Sequence, residues 1–401
     1  MVNEKMRELG AKRSVIRELF EYGKMRKAQI GAENVFDFSL GNPSVPSPDV
    51  VNDSLIKLIS QKDPTSLHGY TSAQGDAGVR AAIAEYLNTA YHANVTADCL
   101  YLTVGAAASL TVSLNAVLNE GDEVIVLAPF FPEYRVFIER AGGKVVPVLC
   151  NTEDFQPDFE ALTAAITNKT RAIIVNSPNN PTGAVLTEEN AQKLAKLLQT
   201  ASQKNGVPIR LIADEPYREL VYGNVTVPYL PNYYDDTLVC YSFSKSVSLP
   251  GERIGYIFVS PRAAEFTALY QAVCGAGRAL GFVCAPSLFQ YLIPSVLGKT
   301  SDLSVYDTNR TLLYEALTSY GFRAVRPGGA FYLFVQSPEP DANAFCERAK
   351  QFELLLVPSD SFGCTGYVRI SYCVTTEQIE RSLPAFQALA NYYGILPKKN
   401  N

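Results

Sequence analysis

Apolar and polar positions alternate in blocks along the middle of the chain. Short apolar runs occur at Val124–Ala128, Ala172–Val175, Ile209–Ala213, Leu238–Tyr241 and Tyr256–Val259, with a further strand expected at Tyr101–Val104. Amphipathic stretches suited to helices separate several of them, notably Ala106–Leu118 and Glu188–Thr200. Continuous apolar strands alternating with helices predict an α/β fold, with a mainly parallel sheet covered by helices on both faces. Ligands on such sheets bind beyond the carboxyl ends of the strands. Polar residues follow the runs where that rule asks for them: Asn176, Asp214, and Ser242 to Lys245.

The two ends of the chain read differently. Residues 14–30 carry a helical pattern, with Ser14 as N-cap and Ile16, Leu19 and Phe20 on one side. Gly41-Asn-Pro-Ser-Val-Pro-Ser-Pro48 is too rich in proline for a helix and suits a crossing between domains. After residue 285 come helices at Pro286–Leu297 and Asp307–Tyr320, then short strands at Ala330–Val335, Leu354–Val357 and Tyr367–Tyr372. The pattern predicts a large domain over 46–285. A smaller α+β domain is built from 286–401, joined by the N-terminal segment 1–45.

Composition narrows the function classes. The 401 residues are 47% hydrophobic and 19% charged, which predicts a soluble protein with ample core. A net charge of −5 without a basic block argues against nucleic acid as a partner. No apolar run approaches the roughly 18 residues of a membrane span, and Met1–Arg13 lacks the apolar core of a secretory signal. Eight cysteines without a CxxC pair read as reduced thiols of a cytoplasmic protein. Two histidines, His68 and His92, leave little for a zinc hydrolase or a Ser-His-Asp enzyme.

The chemistry centres on Ser242-Phe-Ser-Lys-Ser-Val-Ser-Leu-Pro-Gly-Glu-Arg-Ile-Gly255. Lys245 leaves the end of a buried strand, where desolvation lowers its pKa and frees the amine as a nucleophile. Ser242, Ser244 and Arg253 around it suit a phosphate. Together these residues suggest a Schiff-base lysine beside the phosphate of pyridoxal 5′-phosphate.

Other segments admit a functional and a plain structural reading. Gly105-Ala106-Ala107 opens a helix after a strand, either as a phosphate cradle or as a close-packed turn. Phe131 is placed to stack on a planar ring, or to serve as core. In Asn176-Ser-Pro-Asn-Asn-Pro-Thr-Gly183 the prolines fix a path that holds an Asn amide toward a ligand oxygen. Asp214 requires a cationic partner, such as a protonated pyridine nitrogen, or else caps a helix. Tyr217 is positioned to donate to the ring's phenolic oxygen. Arg369 stands in an apolar strand, as a fork for a carboxylate or in a structural ion pair.

Taken in order, these residues resemble the class I/II aminotransferases of the fold type I pyridoxal-phosphate superfamily, over roughly Phe36 to Tyr372. Gly41-Asn-Pro43, Tyr70, Gly105 to Ala107, Asn180-Pro-Thr-Gly183, Asp214 with Tyr217, Ser242 to Lys245, Arg253 and Arg369 carry the likeness. The resemblance implies that Lys245 forms the covalent link to the cofactor and shuttles the proton between Cα and C4′. It implies that Asp214 holds the pyridine nitrogen and that Asn180 and Tyr217 bind the 3′-oxygen. Ala106, Ala107, Ser242, Ser244 and Arg253 would bind phosphate, with Tyr70 reaching in from a partner subunit. Phe131 would stack on the ring, in a chain that has no Trp. Arg369 would clamp the substrate α-carboxylate, with Gly41 near it.

A homodimer with shared sites is implied, with an L-amino acid and a 2-keto acid as substrates. Arg278 lies 33 residues after Lys245, near the offset at which dicarboxylate enzymes donate a side-chain-binding arginine across the dimer. It is read as a ligand for the ω-carboxylate of aspartate or glutamate, or as a helix-surface or interface arginine. The alternative reactions on the same cofactor are a carbon–sulfur β-lyase, a decarboxylase and an aminocyclopropane-type synthase. A nicotinamide dehydrogenase is disfavoured by the lack of a Gly-x-Gly-x-x-Gly turn.

Overall fold

A computed structural model describes residues 1–11 and 15–397. The proposed Ser14 cap lies outside these; the helix it would open runs Val15–Ile30. At the centre is a seven-stranded sheet. In spatial order its strands are Leu100–Thr103, Gly255–Val259, Thr237–Ser242, Arg210–Asp214, Thr170–Asn176, Glu123–Ala128 and Lys144–Leu149. All neighbours run parallel except Gly255–Val259, which is antiparallel to both of its partners. The three central strands are buried at nearly every position, which is why they read as unbroken apolar runs.

Local chemistry sets the helix limits. Ala106–Val117 starts at Gly105 in a left-handed conformation, φ +94°. Glu188–Asn205 is capped by the Thr187 side chain, which accepts from the Asn190 N–H, and it ends on left-handed Gly206. Among the described residues, no helix is long and apolar enough to cross a membrane.

The second body is a four-stranded antiparallel sheet, ordered Val357–Pro358, Tyr367–Ser371, Tyr332–Gln336, Arg323–Ala324. Helices Leu303–Ser319, Ala342–Lys350 and Thr376–Tyr392 supply Leu313, Leu317, Phe345, Ile379, Phe386 and Leu389 to its core. The N-terminal segment joins this body. Phe36–Asp37 pairs in parallel with Leu354–Leu355, and Leu19 packs on Val357 and Phe362.

The helix expected to open the small domain belongs elsewhere. Ser287–Val296 buries Leu292, Ile293 and Val296 in the core of the large sheet. Its apolar face covers that larger core, so after residue 285 the first helix to enter the small body's core is Leu303–Ser319, capped by Asp302.

Candidate active site

The carboxyl ends of the central strands meet at one edge. Cross-strand pairing sets Asn176 opposite Asp214, and Asp214 opposite Cys240. Ser242 lies opposite Gly255, two residues after Arg253. This edge and the small body enclose a cavity of about 330 Å³. The cavity brings together Gly41, Ala106, Ala107, Phe131, Asn180, Asp214, Tyr217, Ser242, Ser244, Lys245, Arg253 and Arg369.

Lys245 sits one helical turn beyond the strand end, in Phe243–Ser246. Its Nζ donates to the Gly41 carbonyl at 2.7 Å and lies 5.5 Å from the centre of the Phe331 ring. Burial, aided by the charges of Arg253 and Arg369, pulls the amine down to about 8 against a weaker opposing effect of Cys373. Near neutral pH the free base is thereby far more accessible than that of an ordinary lysine.

Asp214 is buried, and burial pushes its carboxyl up to about 7 despite the hydrogen bond from Tyr134. The Tyr134 hydroxyl donates to Oδ2, and the Asn176 amide donates to the Asp214 carbonyl at 2.8 Å. The other carboxylate oxygen, Oδ1, is buried with no protein partner. An acceptor left this way costs about 1–3 kcal/mol. A protonated ring nitrogen supplies both the missing donor and the opposite charge.

Across the cavity the Arg369 fork is held on two sides. Nη2 donates to the Ser39 carbonyl at 2.6 Å and Nη1 to Asn180 Oδ1 at 3.1 Å, while Nε is buried without a partner. The guanidinium also lies over Tyr332, 4.8 Å from the ring centre. Among the described residues no carboxylate pairs with it, so the structural ion-pair reading of Arg369 has no support there. Asn180 is fixed by its own N–H, which donates to Asn176 Oδ1 at 2.7 Å. The Tyr217 hydroxyl lies 2.9 Å from that of Tyr332.

The third corner is an anion cradle. Ser242 and Ser244 hydroxyls are 2.6 Å apart, and Arg253 Nη1 donates to Ser244 Oγ at 3.3 Å. Gly105 is required here: a Cβ would lie 2.7 Å from Arg253 Nη2, and φ is positive. With backbone N–H groups at the start of Ala106–Val117, these residues fit a phosphate. Donor set, orphaned Oδ1 and lysine together fit pyridoxal phosphate.

Two expected residues stand apart. Tyr70 is 99% exposed and Arg278 lies on the exposed side of the helix Phe266–Leu280, and neither lines this cavity. Conversely, sequence reasoning did not single out Tyr134, Tyr332 or Ile16, the last of which reaches the cavity from the N-terminal helix. Only Tyr134 had a local signal. It lies in the strand-end Pro129–Tyr134 stretch and faces Asp214, while Phe131 meets its ring edge-on at 5.7 Å.

Comparison with known proteins agrees with this geometry. The model of the family "Aminotransferase class I and II" matches residues 33–386. Aspartate aminotransferase of Thermotoga maritima is 30% identical over 365 residues, covering 90% of this chain and 92% of that protein. The crystal structure of an aminotransferase from Eubacterium rectale is 55% identical and superposes with a TM-score of 0.97, covering 98% of this chain and 99% of the other. Aspartate aminotransferase of Thermus thermophilus, solved with maleate, is 28% identical with a TM-score of 0.85, covering 97% and 100%. Fold, cavity chemistry and relatives agree: the chain belongs to the class I and II aminotransferases and is a pyridoxal-phosphate-dependent aminotransferase.

Proposed function

We propose that this cavity transfers the amino group between an L-amino acid, aspartate or glutamate by preference, and a 2-keto acid such as 2-oxoglutarate. The observation that carries the assignment of residues is the orphaned Oδ1 of Asp214, a residue that lines the same cavity as Lys245. Asp214 holds the ring nitrogen, and Asn180 and Tyr217 hold the ring oxygen. Ala106, Ala107, Ser242, Ser244 and Arg253 hold the phosphate, and Phe131 lies against the ring. The bound cofactor supplies an electron sink for the substrate's Cα. Arg369 receives the α-carboxylate beside Gly41, and its unpartnered Nε leaves a donor for that ligand. Lys245 serves as nucleophile and then moves the proton at Cα, for which its lowered pKa suits it.

The working form is a homodimer in the cytoplasm with sites shared between copies. Free thiols on all eight cysteines fit a reducing compartment. The loop bearing Tyr70 is tied to the segment after Arg278: the Cys284 N–H donates to the Ala73 carbonyl at 3.3 Å, and Gln290 Nε2 to Thr71 Oγ1 at 3.1 Å. Both exposed residues thus sit on hydrogen-bonded neighbouring segments, in keeping with joint donation into a second copy's cavity. Maleate in the Thermus structure is a dicarboxylate, in keeping with a second anion site.

Arg278→Ala tests the substrate preference. Loss of one charge-assisted pair predicts a fall in kcat/KM for aspartate of about 10- to 100-fold, with an apolar amino acid changed by less than about twofold. Equal losses on both donors, or no loss, would sink the assignment.

A further inference from the structure

Tyr332 is the one polar-tipped side chain of the cavity wall for which neither the sequence motifs nor the assignment above provides a role. It opens the strand Tyr332–Gln336 of the small body, is 2% exposed, and faces three residues of the site at once. Its hydroxyl is 2.9 Å from that of Tyr217. Its ring lies under the Arg369 guanidinium. The same hydroxyl occupies the space where Gly41 lacks a side chain, next to the carbonyl that accepts from Lys245. Among the described residues neither phenol makes another hydrogen bond.

We propose that Tyr332 is a positioning residue for the cofactor: it donates its proton to Tyr217, turning the Tyr217 O–H toward the ring oxygen and strengthening that hydrogen bond. The inference rests on Tyr217 binding that oxygen, as assigned above.

Two phenols joined by one hydrogen bond have two possible proton arrangements. If Tyr217 donates to Tyr332, its lone pairs rather than its proton face the cavity, and an anionic ring oxygen there would meet no donor from it. If Tyr332 donates, the Tyr217 proton is free for that oxygen, and both phenol protons have an acceptor. An anion beside Tyr217 therefore selects the second arrangement. Hydrogen bonds in series polarise one another, which makes Tyr217 a stronger donor than an isolated phenol. Attachment to the small body adds a geometric condition. The relay is complete only when that body is seated against the large sheet, because Tyr217 belongs to the segment following Asp214 and Tyr332 does not. Charged and titratable groups facing the pair are Asp214, Arg369 and Cys373, and Lys245 lies beyond Gly41.

The consequence can be read by absorbance. A ring oxygen that receives a stronger hydrogen bond holds less tightly the proton it shares with the Lys245 nitrogen. Removing the relay should raise the pH at which the bound-cofactor band titrates. The experiment titrates that band in the cofactor-loaded wild type, Tyr217→Phe, Tyr332→Phe and the double variant. Tyr332→Phe should raise the midpoint by about 0.3 pH unit or more and Tyr217→Phe by about one unit. The double variant should match Tyr217→Phe alone, since Tyr332 acts only through Tyr217. Phe keeps the ring under Arg369, so the KM for the amino acid should stay within about twofold. An unmoved midpoint in Tyr332→Phe, or a double variant whose shift is the sum of the two, overturns the relay while leaving the cofactor site intact. A wild type that shows no band with added pyridoxal phosphate overturns the site assignment and the relay with it.

Discussion

Lys245→Ala is expected to lower amino transfer by about 10⁴-fold or more, because in the proposed assignment one substitution removes both the nucleophile and the group that moves the Cα proton. Binding of pyridoxal phosphate should survive. Alanine leaves Arg253, Ser242, Ser244 and Asp214 in place, and these provide the anion cradle and the ring partner. Fold should survive as well, since the Lys245 amine makes one hydrogen bond, to the Gly41 carbonyl. Single-turnover absorbance with an amino acid separates the effects: the variant should show bound cofactor but almost no conversion to its aminated form. Conversion within tenfold of the wild type would show that another base moves the proton.

Asp214→Asn should separate stability from activity in opposite directions. In the cofactor-free protein the carboxyl is raised from its ordinary value to about 7 by burial. The unfolded chain ionises near pH 4, so stability is lost progressively as pH climbs from about 4 to 7. Above pH 7 the wild type carries a buried carboxylate with one oxygen unpartnered. Asparagine removes that charge, and its amide oxygen still accepts from Tyr134. The variant without cofactor should therefore be more stable than wild type at pH 8, by about 1–3 kcal/mol. Amino transfer should nevertheless fall about 10²- to 10³-fold, the scale of losing one preorganised electrostatic partner. Cofactor should raise the melting temperature less in the variant than in the wild type. Equal rises in both proteins would rule out a charged pair at Asp214.

Much of this site was legible in the chain because strand ends are local features. Asn176 and Asp214 close apolar strands and Lys245 comes within one helical turn of another, and a parallel sheet brings successive strand ends to one edge whatever the side chains do. Arg369 was legible through its cost: an arginine in an otherwise apolar strand requires an anion. Tyr332 was not, because a tyrosine in Ala330–Val335 has the same pattern as any core aromatic. Its role comes from Tyr217, 115 positions away in sequence. The helix Ser287–Val296 misled for a related reason. Its periodicity announces an apolar face without saying which of two cores that face will cover. Tyr70 and Arg278 show the same limit at the next level. Their exposure fits a surface role and a role in a second copy equally well.

The segment between Asp37 and Asn42 has a further consequence. It leaves the short strand Phe36–Asp37, paired with Leu354–Leu355, and within three residues gives one carbonyl to Arg369 from Ser39 and another to Lys245 from Gly41. An ordinary linker tolerates changes in length, since an added residue only alters slack. Here an added residue lengthens the path by up to about 3.3 Å and reorients the carbonyls that follow it. Either change pulls both acceptors out of register with the cations they serve. The connection is thus a spacer cut to size, and the placement of Arg369 relative to Lys245 is written partly in the number of residues it contains.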